Sequence, residues 1–191
     1  MKENTVMGIL KKRNVNALYH FTQADNILSI MTRGILPKRT LESRHISFRD
    51  NDKKRLDGCE NASCVSVSFP NGKLFWRFRK QNRVNWVVFE IEPDVLSGNC
   101  TFCNYNAASS STFRGKGASG LEKMFGNRIG EYPESEQAEV LVFDEIPVGK
   151  IRKAIFIDQS TLQKYKSSIP LYISCVVDSK FFSTREFCKG F

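Results

Sequence analysis

The run Val84-Asn85-Trp86-Val87-Val88-Phe89-Glu90-Ile91, closed by Pro93, constrains the fold more than any other stretch of the chain. Its density of β-branched and aromatic residues between turn signals predicts a strand inside a sheet. Cys64-Val65-Ser66-Val67-Ser68-Phe69 alternates cleanly and predicts a half-buried strand, after which Pro70-Asn71-Gly72 turns the chain. Further strands are expected over 17–21, 139–143, 151–157 and 171–176, with a helix over 160–166. Thr22 reads as a helix N-cap with Asp25 at the capping-box position. Ala24, Ile27, Leu28 and Met31 then fall on one apolar face, Gly34 ends the helix and Pro37 prevents its resumption. Short strands, few helices and no regular βαβ alternation argue for an α+β fold. The whole chain, 1–191, is expected to form one domain.

Charge narrows the partners. The formal net charge is +9, an excess that draws phosphate groups to a protein surface. Lys73, Arg77, Arg79, Lys80 and Arg83 interleave with Phe75, Trp76 and Phe78. Cations for phosphates beside rings for bases suit a single-stranded nucleic acid. The same spacing also fits an amphipathic helix with its aromatic face in the core, and the two readings are compatible on opposite faces. No apolar run is long enough to span a bilayer. Met1-Lys2-Glu3-Asn4-Thr5 lacks the apolar stretch of a secretion signal, so a cytoplasmic protein is expected.

Recognised phosphate and metal motifs are missing. Arg114-Gly115-Lys116-Gly117-Ala118-Ser119-Gly120 does not have P-loop spacing, and no Rossmann fingerprint occurs. It reads as a flexible basic loop within a polar, glycine-rich segment over 100–136, interrupted by a short helix near 121–125. Loops of that length inside a domain usually serve function. Cys100-Thr101-Phe102-Cys103 is a lone C-x-x-C, and Cys59 with Cys64 completes no regular zinc spacing, so no metal is expected.

Two side chains are the candidates for chemistry, the alternatives being a solvated strand end for Glu139 and a structural hydrogen-bonding role for His20. Glu139 stands at the mouth of the apolar run Val140-Leu141-Val142-Phe143, and a carboxylate there is costly to bury unless something holds it. His20, in Leu18-Tyr19-His20-Phe21-Thr22, is one of only two histidines and is expected at a strand-to-helix junction, where unpaired N–H groups favour anions. His45 lies in a charged loop and is expected to be solvated.

Taken in order, Tyr19-His20-Phe21-Thr22…Asp25-Asn26, Asp52-Lys53-Lys54-Arg55 and Gln137-Ala138-Glu139-Val140-Leu141-Val142 resemble the DarT-type nucleic-acid ADP-ribosyltransferase toxins. The likeness runs from about residue 17 to 158. It implies the ADP-ribosyltransferase fold: two small antiparallel sheets around an NAD cleft, with peripheral helices. By the same resemblance, His20, Phe21, Thr22, Asn26 and Arg55 bind NAD, and Arg55 and Glu139 are catalytic. The loop between about 103 and 137 shapes the substrate site. Lys73, Arg77 and Arg79 are the candidates for holding the nucleic acid. NAD is then a substrate, single-stranded DNA the acceptor, with RNA as the variant. A cognate antitoxin, such as an ADP-ribosyl hydrolase, is the implied partner. The rival readings are a non-catalytic single-strand-binding module and an ADP-ribosyltransferase acting on protein.

Overall fold

The computed structural model describes residues 4–52 and 56–185; Arg55 lies outside the described residues. Eight strands form one sheet among the described residues: β1 (Leu18–Gln23), β2 (Ser63–Val67), β3 (Trp86–Ile91), β4 (Cys100–Cys103), β5 (Arg114–Gly115), β6 (Glu139–Val142), β7 (Ile151–Phe156) and β8 (Ser174–Val177). Their order is β5-β4-β6-β2-β1-β3-β7-β8. Among the described residues six α-helices accompany them: α1 (Val6–Lys12), α2 (Ile27–Arg33), α3 (Lys38–Ser43), α4 (Gly72–Gln81), α5 (Gly117–Phe125) and α6 (Gln159–Tyr165). The α+β class expected from the sequence holds. The two separate sheets do not: the halves β5-β4-β6-β2 and β1-β3-β7-β8 are continuous through β1 and β2. Nor is the sheet wholly antiparallel. β8 runs parallel to β7, the two being joined through α6.

The join between the halves is short. β1 pairs with β3 along its full length, from Leu18 opposite Ile91 to Gln23 opposite Trp86. It meets β2 only at Leu18 opposite Val67 and Tyr19 opposite Ser66. Beyond Tyr19 the two strands part, and side chains replace the missing rungs. The His20 imidazole Nδ1 donates to the Cys64 carbonyl at 2.8 Å. The Asn51 amide donates to the Phe21 carbonyl and accepts from the Gln23 N–H, each at 3.3 Å. An amide carries a donor and an acceptor side by side, so Asn51 reproduces a strand's pairing pattern along this open edge.

Alternation along the strands sends side chains to two faces. Leu18, Val65, Val67, Val87, Phe89, Phe102, Val140 and Val142 face one large core with α1, α2 and α5. On the other face, Tyr19, Trp86, Val88 and Ile155 pack under Phe75 and Phe78 of α4, beside Phe182. Phe21 stacks on Phe75 with ring centroids 4.4 Å apart. Burying a phenylalanine of this kind is worth roughly 1.5–3 kcal/mol, which anchors α4 at the rim of the split. Among the described residues no helix is long and apolar enough to cross a membrane.

Several local expectations change. β1 continues through Thr22 to Gln23 and is followed by a 3-10 turn, Ala24–Asn26, before α2. Thr22 is therefore a buried strand residue and not an N-cap, and His20 lies mid-strand. Asp25 takes the Tyr165 hydroxyl at 2.7 Å in place of a capping box. The buried face of this region is Ala24, Ile27 and Ile30, with Met31 partly buried against the same core and Leu28 turned to solvent, because the tight turn rotates the helix relative to a continuous α-register. Gly34 does end α2, with a φ of 87°, and a Cβ there would lie 2.2 Å from the Ile146 carbonyl oxygen. The basic stretch 114–120 is no loop: it forms β5 and the start of α5. Gly115 and Gly120 allow that contact, since a Cβ on Gly120 would meet the Gly115 carbonyl carbon at 2.4 Å. α1, whose Ile9 and Leu10 are buried, was not anticipated.

Candidate active site

The divergence of β1 and β2 opens a cleft between them. His20 and Glu139 both line it, as do Thr22, Asn26, Arg49, Ser66 and Arg77. The two residues that sequence reasoning singled out, on strands far apart in the chain, therefore share one groove.

Glu139 is not a solvated strand end. It is only 4% exposed, and both carboxylate oxygens are held. Asn71 Nδ2 donates to Oε1 at 3.0 Å and the Ala107 N–H donates to Oε2 at 2.9 Å. Such charge-assisted bonds are the means by which a buried carboxylate is tolerated and oriented. Asn71 is itself fully buried and caps α4, its Oδ1 accepting from the Leu74 N–H at 3.1 Å, while its own N–H donates to Ser66 Oγ. Sequence reasoning took Asn71 only for a turn residue. The signal available was an asparagine at the start of an amphipathic helix, which marks a cap but not its second bond 68 positions away.

Ala107 belongs to the segment linking β4 to β5. Arg114 fixes it, donating to the Ala107 carbonyl at 2.6 Å and to the Asp57 carbonyl at 3.1 Å. One guanidinium thus ties the peptide that grips Glu139 to the chain just after Arg55. Arg114 also escaped notice in the sequence, where it read as part of a mobile loop. On the opposite strand position to Glu139 sits Cys103. Burial pushes its thiol up to about 11, Arg114 pulling it down and Glu139 adding to the rise. Burial raises Cys100 to about 12. The two cysteines face different cores, so the C-x-x-C does not converge on a ligand. Among the described residues no three His, Cys, Asp or Glu side chains group to hold a metal.

The other wall is built from β1 and the segment 49–52. With Nδ1 of His20 given to a carbonyl, the donor sits on Nδ1 and a neutral ring keeps Nε2 as an acceptor. Thr22 Oγ1 accepts from Asn26 at 2.9 Å and from Asn51 at 3.2 Å. Asn26 also exchanges two bonds with the Arg49 backbone, donating at 2.9 Å and accepting at 2.7 Å. Its amide is thereby committed to holding the wall in place. Phe21 offers main-chain groups along the open edge of β1, where its carbonyl already meets Asn51.

Of the three cations expected to hold nucleic acid, only Arg77 lines the cleft. Lys73 pairs with Glu136 at 2.9 Å. Arg79 turns inward: it donates to the Phe182 carbonyl, lies 5.4 Å from the Phe182 ring and 5.6 Å from the Phe75 ring, and burial lowers its pKa. Its structural use was invisible in a sequence where Arg77, Arg79 and Lys80 look alike and the partner, Phe182, lies more than a hundred residues away. His45 is exposed, as expected.

The fold that carries this cleft is also seen in DarT structures. The structure of Thermosipho africanus DarTG in complex with ADP-ribose superposes with a TM-score of 0.70 at 20% identity, over 87% of this chain and 51% of that one. This chain thus spans about half the length of that relative. Thermus sp. 2.9 DarT in complex with NAD+ gives a TM-score of 0.64 at 11% identity, over 87% of this chain and 97% of that one. The same protein in complex with ADP-ribosylated ssDNA gives 0.61 at 10% identity, over 88% and 97%. No curated protein matches the chain by sequence. The family model "ssDNA thymidine ADP-ribosyltransferase, DarT" matches residues 19–182, and the chain belongs to that family.

Proposed function

We propose that this chain transfers ADP-ribose from NAD to a thymidine base of single-stranded DNA, releasing nicotinamide. The observation that carries the reading is the placement of His20 and a doubly held Glu139 in one cleft. Family membership and the likeness to DarT structures support it.

In this reading His20, Thr22 and the main chain of Phe21 receive NAD along the open edge of β1, with Asn26 holding that wall. The bond between nicotinamide and ribose breaks with its electron pair leaving on nicotinamide, which departs neutral. The sugar acquires oxocarbenium character, as in glycoside hydrolysis, and a nearby carboxylate stabilises it. Glu139 supplies that charge from a site already organised before the charge develops. A base nitrogen then bonds to the ribose carbon and its proton is released. Arg55, always protonated, would act as an electrostatic clamp on phosphate or base. Arg77, which lines the cleft, is the candidate nearest the reaction for holding the strand; Arg79 turns inward. Single strands are favoured because a paired base must first be unstacked. The modification also implies a neutralising partner, for which an ADP-ribosyl hydrolase has the appropriate chemistry.

The test is incubation with labelled NAD and matched DNA and RNA oligonucleotides, followed by mass spectrometry. Wild-type protein is expected to add one ADP-ribose to the thymidine-containing DNA, and Glu139→Gln to add none while remaining folded. Undiminished labelling by Glu139→Gln would remove the carboxylate from the mechanism. Labelling of RNA alone would transfer the reading to the other acceptor.

A further inference from the structure

The helix α4 separates its aromatic residues into two populations. Phe75 and Phe78 are 1% and 6% exposed, whereas Trp76 is 55% exposed. Lys73, Trp76, Arg77 and Lys80 recur at the spacing of a single helix face. Lys80 Nζ lies 5.0 Å from the centre of the Trp76 ring, and Arg77, the next residue, lines the cleft. An indole left half in solvent beside the inner face of a well-packed helix gains nothing for the core. We propose that the outer face of α4 is a stacking subsite for a base flanking the modified nucleotide. The strand leaves the cleft past Arg77, a neighbouring base lies on the Trp76 indole, and Lys80 meets the adjoining phosphate. A single-stranded polyanion is the occupant that the charges select, and the subsite is continuous with the cleft that Arg77 already lines.

This inference rests on the proposed acceptor, but its test separates the two. The chain has two tryptophans, and Trp86 is 3% exposed, so a single-stranded oligonucleotide can reach only Trp76. Titrating an oligonucleotide into protein without NAD is expected to quench tryptophan emission, and Trp76→Ala to abolish the quenching. In the transfer assay Trp76→Ala is expected to raise the oligonucleotide KM about 5- to 150-fold, the span seen when a stacked aromatic is removed, with the NAD KM unchanged. Trp76→Phe, which retains a ring, should recover most of the loss. Quenching without any transfer by the wild type would end the enzymatic reading and leave the subsite standing. Transfer with an unaltered oligonucleotide KM in Trp76→Ala would overturn the subsite and leave the enzyme.

Discussion

Asn71→Ser separates the catalytic use of Asn71 from its structural one. The asparagine does two jobs: its Oδ1 caps α4 through Leu74, and its Nδ2 holds Glu139 Oε1 at 3.0 Å. Serine is about as good an N-cap as asparagine, but its shorter side chain does not extend to the carboxylate. The bond to Glu139 Oε1 is then lost, while the Ala107 N–H still donates to Oε2. A hydrogen bond to a charged group is worth about 1.5–3 kcal/mol, and each 1.4 kcal/mol of lost transition-state stabilisation is roughly tenfold in rate. The expected result is a fall in kcat of roughly 10- to 150-fold, with the same lost bond lowering Tm by roughly 3–12 °C. Asn71→Ala removes the cap as well, so it should show the same fall in kcat and a further loss of about 1 kcal/mol of stability, or roughly another 2–4 °C in Tm. Single-turnover transfer from saturating NAD to an oligonucleotide gives the rate, and thermal unfolding gives the stability. A folded Asn71→Ser enzyme turning over within a factor of about two of wild type would refute the argument, because deleting a bond of this strength should exceed that effect.

The remaining predictions concern the fold. Gly120→Ala exchanges a poor helix former for the best one, which alone would stabilise α5 by about 1 kcal/mol. Its Cβ, however, would meet the Gly115 backbone at 2.4–2.6 Å. We expect the clash to win by about 2 kcal/mol, lowering Tm by roughly 4–8 °C in thermal unfolding; a rise in Tm would show that β5 and α5 are not in that contact. Cys100 and Cys103 should resist alkylation at pH 8 in the folded protein and react only after denaturation, as read by mass spectrometry. Their folded pKa values, about 12 and about 11, lie above the ordinary 9.0. The folded state therefore holds more protons than the unfolded one at alkaline pH. Their contribution to stability should be complete below about pH 9 and be lost as the pH rises toward 11–12; Cys100→Ala with Cys103→Ala should flatten that part of the stability profile.

What the sequence disclosed, and what it did not, follows the range of the interactions. β3 and β6 were legible because their side chains bury into cores on both faces of the sheet, leaving dense apolar runs, and β7 because its second half, Ala154-Ile155-Phe156, does the same. Strand limits still shifted: Val84 and Asn85 lie before β3, and exposed Leu171 lies before β8. Thr22 misled because a threonine before an apolar helical pattern is the usual cap, whereas here pairing with Val87 on β3 continues the strand past it. Local propensity lost to a sheet partner more than sixty residues away. His20 and Glu139 emerged as an ordered pair of motifs, but the machinery around Glu139 did not. Asn71, Ala107 and Arg114 act through one carboxylate at separations no spacing rule encodes. The two-sheet expectation failed at the same place that makes the site. β1 and β2 remain joined at Leu18 and Tyr19 and part at His20, so a single sheet contains both lips of the cleft. That short join fixes the histidine wall relative to the glutamate wall through main-chain bonds. A pair of separate sheets would have to obtain the same positioning from side-chain packing alone. In physical terms, the cleft is a controlled failure of strand pairing, with His20 and Asn51 taking the bonds that β2 no longer supplies.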